Sequence, residues 1–169
     1  AQRCAQLAEV AGQIAFEAVA TLAWSSERAQ ARMDNLIASN YSDGTPLHAV
    51  LCSNDSTALG VTNSLVGAGF EKMPYITGQD CDIANTKNII AGLQSMSIFK
   101  DTRTLAARVV QMIESIVKGE EPEVNDTTTY FNGVFVVPTY LCTPVFADIN
   151  NYKELLIDSG YYTPEQLGL

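Results

Sequence analysis

Four residues spaced along the chain could act together on one ligand: Trp24, Asn54, Asp80 and Lys100. Each stands where one kind of local structure gives way to another. Asn54 follows the β-rich run "HAVLCS" (48–53), Asp80 follows "MPYITGQ" (73–79), and Lys100 follows "SMSIF" (95–99). Trp24, the only tryptophan, directly precedes a helix that opens at Ser25 and Ser26. The set offers an indole face, an amide, a carboxylate and an ammonium. A flat aromatic covers the apolar C–H face of a pyranose, while the other three donate to and accept from its hydroxyls. The chemistry they suit is the recognition of a sugar.

Each residue also has a plainer reading. Asp55 or Ser56 serves as the N-cap of a helix over 54–69, and Asp80 is another candidate cap, although Asp82 is better placed. Lys100 pairs with Asp80 or Asp101 on the surface, and a lone tryptophan is usually core. The only histidine, His48, begins a strand instead of ending one, so it lies at the wrong edge for chemistry. There is no G-x-S-x-G elbow, no phosphate-binding loop and no G-x-G-x-x-G, and "GAGFEK" at 67–72 closes a helix. Asp80 and Lys100 would make an acid/base pair with no nucleophile or cofactor beside it. The expectation is therefore no catalytic residue, no cofactor and no metal.

The elements that must position these residues follow from periodicity. Short apolar runs alternate with helical stretches across polar turns, which predicts βα units and a mainly parallel sheet flanked by helices, an α/β fold. In such a sheet, ligands bind beyond the carboxyl ends of the strands, where Asn54, Asp80 and Lys100 fall. In "DTRTLAARVVQMIESIVKG" (101–119), Leu105, Val109, Met112, Ile113 and Ile116 share one helix face. "SSERAQARMDNLIAS" (25–39) places Ala29, Met33, Leu36 and Ile37 likewise. "IAFEAVATLA" (14–23) is compatible with helix, strand or loop, "VFVVPTYL" reads as a strand, and "NNYKELLIDSGYY" as a short terminal helix.

With 169 residues, 47% of them apolar and 17% charged, the chain fits one globular domain over 1–169. A net charge of −9 argues against a nucleic-acid partner and against docking on anionic lipid. No stretch approaches a membrane span and no signal peptide is visible. The opening "AQRCAQLAEVAGQ" reads as the interior of something longer, a processed product or a fragment. Cys4, Cys52, Cys81 and Cys142 are too widely spaced for a zinc site, and buried or half-buried thiols are expected.

In order, "SND" (53–55) with "TALG", "TGQDCD" (77–82) and "AGLQSMSIFKDTR" (91–103) resemble the periplasmic sugar-binding proteins of ABC transporters, most closely the xylose- and multiple-sugar-binding group. "WSSERAQARMDNLIASNYSD" (24–43), "PEVNDTTTYFNGVFVVPTYLCTPV" (122–145) and "NYKELLIDSGYYTPEQL" (151–167) resemble the same group, so the likeness runs over 24–169. Residues 1–23 match it poorly, apart from "GQ" at 12–13. The resemblance implies that Trp24 stacks on a monosaccharide and that Asn54, Asp80 and Lys100 hydrogen-bond its hydroxyls. Ribose-binding relatives carry glutamine in place of Lys100.

It implies an extracytoplasmic protein, in the periplasm or lipid-anchored at the cell surface, whose partners are a membrane permease and in some cases a chemoreceptor. Family members have two lobes closing over the sugar and about twice this length. The chain corresponds to their C-terminal half, without the N-terminal lobe. The helix at 101–118 then belongs to the absent lobe, and it is expected either rearranged or buried in a dimer. An alternative is the effector-binding part of a cytoplasmic LacI-like sugar-responsive repressor, which shares the fold.

Overall fold

The computed structural model describes residues 20–169. Cys4 and most of the Ala-rich stretch at 14–23 lie outside the described residues. After a short turn, α1 (Ser26–Leu36) runs into a π-helical turn, Ile37–Tyr41. Then follow β1 (Ala49–Val50), α2 (Asp55–Gly67), β2 (Tyr75–Ile76), α3 (Ile83–Ile90), β3 (Met96–Phe99) and α4 (Thr102–Lys118). The C-terminal part contributes β4 (Val145–Asp148), a second π-helical turn at Lys153–Asp158 and α5 (Pro164–Leu167).

β1 and β2 run parallel, with Ala49 opposite Tyr75 and Val50 opposite Ile76. Their ladder is shorter than the apolar runs because the Thr77 hydroxyl takes over. It accepts from Cys52 N at 2.9 Å and donates to Cys52 O at 3.1 Å. Beyond Ile76 the chain stays parallel to β3. Ser95 N donates to Ile76 O, Ile98 N to Gly78 O and Asp80 N to Ile98 O, at 2.8–3.1 Å. β4 closes the free edge of β3 antiparallel, pairing Met96 with Asp148 and Phe99 with Val145. Two two-stranded ladders, β1-β2 and β3-β4, are thus joined by the parallel bridge between Gln79 and Ile98, and only β4 is reversed, in keeping with the α/β reading.

Two differences from the sequence reading concern this last part. "VFVVPTYL" makes only single bridges, Phe131 with Val136 and Asp126 with Thr139, and no strand. Pro138 lacks a donor there, and the turn at Asn132–Gly133 (φ 95°) folds the run back on itself. The strand that joins the sheet is the following "VFAD".

One apolar cluster gathers Met33, Ala58, Val61, Leu65 and Ile76 between α1, α2 and the sheet. Ala29 and Met33 are the buried residues of α1, as its periodicity predicts. Gly60 allows this contact: a Cβ there would collide with the Ser26 carbonyl oxygen and approach Gln30 N to 2.8 Å. Alanine would ordinarily favour the helix, but the obstacle is backbone that cannot swing aside. Gly60→Ala should cost about 2 kcal/mol or more, read as a lower urea midpoint at unchanged slope. A second cluster holds Cys81, Phe99, Ala147 and Leu156. Tyr161 packs edge-on against Phe99 and Tyr162, with centroids at 4.8 and 4.9 Å.

α4 has the predicted apolar stripe, yet none of its 17 residues is buried. Leu105, Val109, Ile113 and Ile116 are 47–63% exposed. The helix is not rearranged onto the rest of the chain, which corrects that branch of the expectation. Its N-terminus is anchored by Asp101, whose side chain accepts from Arg103 N at 2.9 Å. Arg103 also donates to Ser159 O at 2.9 Å. Midway, Arg108 lies 3.7 Å from the Tyr140 ring centroid and pairs with Glu123 at 2.6 Å.

Candidate functional site at the carboxyl edge of the sheet

Asn54 is the N-cap of α2. Its Oδ1 accepts from Thr57 N at 3.2 Å, and Asn54 N donates back to the Thr57 hydroxyl oxygen at 3.4 Å, closing a capping box; the Thr57 hydroxyl also lies 2.9 Å from Asn54 Oδ1. Neither Asp55 nor Ser56 is the cap. With Oδ1 committed, the amide nitrogen of Asn54 has no partner among the described residues, so it can donate to a ligand.

Asp80 and Lys100 meet directly. Their Oδ1 and Nζ lie 2.9 Å apart, with the side chains 40% and 46% exposed. Such an ion pair contributes little stability in water. Asp80 has φ 106° and Cys81 φ 54°, a left-handed turn with no glycine in it. The backbone polar groups around Asp80 are nearly all committed. Asp80 N donates to Ile98 O, Cys81 N to the Ser97 hydroxyl (3.1 Å) and Asp82 N to Asp55 Oδ2 (2.8 Å). Gln79 O accepts from Asp55 N at 2.9 Å, and Cys81 O from the Tyr162 hydroxyl at 2.9 Å. The Asp80 carboxylate, paired with Lys100 and 40% exposed, faces solvent or a ligand. Asp82 occupies the N-cap position of α3 without a side-chain capping bond.

Trp24 sits on the turn before α1 with φ 49° and an indole that is 64% exposed. The core reading of a lone tryptophan does not hold. The structure thus brings Asp80 and Lys100 into contact and puts Asn54 on the neighbouring strand end. Trp24 is placed at the head of the helix packed on α2, without a hydrogen bond to the other three. His48 stands at the opposite, amino end of β1, as expected.

Beneath this edge lies a buried polar group that sequence reasoning missed. Asp55 is fully buried. Its Oδ1 accepts from the Ser97 hydroxyl (2.8 Å) and Gln94 Nε2 (3.2 Å). Asn85 Nδ2 bridges Asp55 O and Gln94 Oε1, both at 2.8 Å. Burial pushes the Asp55 carboxyl up to about 6, against the pull of the donated hydrogen bonds from Ser97, Asp82 N and Gln94. Burial likewise pushes the Cys52 and Cys81 thiols up to about 12, so both are protonated and unreactive at neutral pH. Cys52, Cys81 and Cys142 are free thiols, and no group of three or more metal-ligating side chains occurs among the described residues.

A family model for the periplasmic binding protein domain matches residues 2–121. The chain belongs to that family. The multiple sugar-binding periplasmic receptor ChvE of Rhizobium radiobacter is 48% identical over 160 residues, which cover 92% of this chain and 45% of ChvE. An ABC transporter solute-binding protein from Clostridium phytofermentans, solved with β-D-glucose bound, is 66% identical. It superposes with a TM-score of 0.85 over 94% of this chain and 49% of its own. A carbohydrate transporter solute-binding protein from Chloroflexus aurantiacus, in complex with D-glucose, is 30% identical, with a TM-score of 0.76 over 96% of this chain and 45% of its own. This periplasmic binding protein domain therefore spans about half the length of the relatives it matches.

Proposed function

We propose that the chain is part of an extracytoplasmic solute-binding component of an ABC transporter, and that its ligand is a monosaccharide, an aldohexose or aldopentose. Trp24 stacks on the ring, Asp80 accepts from sugar hydroxyls, and Lys100 and the Asn54 amide donate to them. The chain forms the C-terminal of two lobes. Closure over the sugar favours the form read by a membrane permease and, where one is present, a chemoreceptor. No bond is made or broken, since nothing beside Asp80 and Lys100 supplies a nucleophile.

One observation carries this reading. A strained, exposed carboxylate is paired with an ammonium at the carboxyl ends of adjacent strands, in a chain 66% identical to a protein solved with a hexose bound. A second lobe would supply further burial, so this chain alone binds more weakly than a two-lobed protein.

Titration of Trp24 fluorescence with D-glucose, D-xylose, D-galactose, L-arabinose and D-ribose tests it, because the signal has a single source. A saturable change with one or two sugars is expected. Calorimetry showing no heat with any of the five, on a chain with native circular dichroism, would sink the reading.

A further inference from the structure

Asp55 follows Asn54 at the end of the β1 run, where sequence alone makes it a helix cap or a ligand contact. The structure gives it another place. Its main-chain N–H holds Gln79 O at 2.9 Å, on the near side of Asp80. Its Oδ2 holds Asp82 N at 2.8 Å, on the far side. Its Oδ1 accepts from the Ser97 hydroxyl, which itself accepts from Cys81 N. Three consecutive peptide units around Asp80 are thus fastened, directly or through one hydroxyl, to a single buried residue. Gly78 leaves room for it: a Cβ at 78 would run into Asp55 Oδ1.

The fastening coincides with strain. Positive φ at Asp80 and Cys81 is unfavourable for an L-residue, and such a turn persists only when its surroundings over-determine it. We propose that Asp55 is a positioning residue of the sugar site, holding the 79–82 turn so that the Asp80 carboxylate faces Lys100 and the ligand. This rests on the sugar-binding reading above. Asp55 is fully buried, so it acts through Asp80. The carboxylate is needed because two oxygens must accept from two sides at once. An amide of the same shape offers one acceptor, and its NH2 would face either Asp82 N–H or the Ser97 and Gln94 donors.

The test compares the unsubstituted chain with Asp55→Asn, reading by calorimetry the affinity for whichever of the five sugars the unsubstituted chain binds, D-glucose first, and backbone amide exchange by NMR. Leu65→Ala serves as the control for general destabilisation, since Leu65 is buried in the cluster of α1, α2 and β2. In Asp55→Asn, the amides of residues 80–82 should exchange at least roughly tenfold faster than in the control, and Kd should rise at least roughly tenfold, the loss of a hydrogen bond to a charged group. In Leu65→Ala, Kd should stay within about twofold, because distant sites act independently. If Asp55→Asn does not fold, Ser97→Ala decides, since it removes the hydroxyl that links Asp55 Oδ1 to Cys81 N while leaving Asp55 its bonds to Asp82 N and Gln79 O, and it should move both readouts in the same direction. Affinity unchanged in a folded Asp55→Asn, or exchange at 80–82 no faster than in Leu65→Ala, overturns the positioning role. Failure of the unsubstituted chain to bind any of the five sugars named above would overturn the sugar reading and this proposal with it, and it shows before any variant is made.

Discussion

Asp55→Ala should lower the stability of the chain by at least about 3 kcal/mol, enough to unfold much of it at 37 °C if its total lies near the lower end of the usual range of about 5–15 kcal/mol. The substitution removes the acceptor of three donors, the Ser97 hydroxyl, Gln94 Nε2 and Asp82 N. Gln94 and Ser97 are themselves buried, so water does not readily replace the carboxylate. Each buried donor left unpaired costs about 1–3 kcal/mol. Urea unfolding followed by circular dichroism measures the loss; a shift below about 1 kcal/mol would mean that water fills the gap.

The same carboxylate makes stability depend on pH in a sense opposite to Asp43, Asp101 and Asp126. Its native value of about 6 lies above the ordinary aspartate value of about 3.9. Between the two, the native state keeps a proton that the unfolded chain has released, so stability falls as pH rises from about 4 to about 6. With one unit equivalent to about 1.4 kcal/mol, Asp55 accounts for at most about 3 kcal/mol of that fall. Asp82 is raised by partial burial and by the neighbouring Asp80, and it acts in the same direction. Asp43, Asp101 and Asp126 are lowered by their own hydrogen bonds and act in the opposite one, losing stability as pH falls. The wild-type curve therefore mixes both signs. Subtracting the Asp55→Asn curve isolates the buried group, and the difference should be largest near pH 4 and level off above pH 6.

These two behaviours mark where the sequence was legible and where it was not. The βα units were legible because each apolar run ends at a polar turn, and each helix begins with a residue that can accept a backbone hydrogen bond. Asn54, Asp80 and Lys100 could be placed at strand ends for that reason alone. The burial of Asp55 was not legible. An aspartate after an asparagine at a helix start looks like a cap in either order, and only the reach of Ser97 and Gln94 from β3 and the turn before it shows which one turns inward. Nor did periodicity say what covers α4. A stripe of Leu105, Val109, Ile113 and Ile116 reports that a face is apolar, not what lies against it. Val145–Asp148 carries less β-branched content than "VFVVPTYL", yet it is the one that joins the sheet, since Pro138 has no N–H to donate. The exposed Trp24 depends on a left-handed turn at Ala23 and Trp24 that no propensity scale favours.

Asp80→Gly and Asp80→Ala, made side by side, should separate what this position costs from what it does. Both remove the carboxylate, and both should weaken sugar binding by about 10- to 100-fold, the loss of hydrogen bonds to a charged acceptor. Neither should lose much stability with the ion pair, since Asp80 and Lys100 are 40% and 46% exposed. The two variants should nevertheless differ from each other. Alanine keeps a Cβ at φ 106°, whereas glycine adopts that angle freely, and the relief outweighs the extra disorder of glycine in the unfolded chain. Asp80→Gly should thus be more stable than Asp80→Ala by about 1 kcal/mol, while binding sugar no better. A chain that tolerates this strain where glycine would remove it keeps the carboxylate for what it touches. Equal stabilities for the two variants would show that the turn is not strained, and full affinity in either would remove Asp80 from the site.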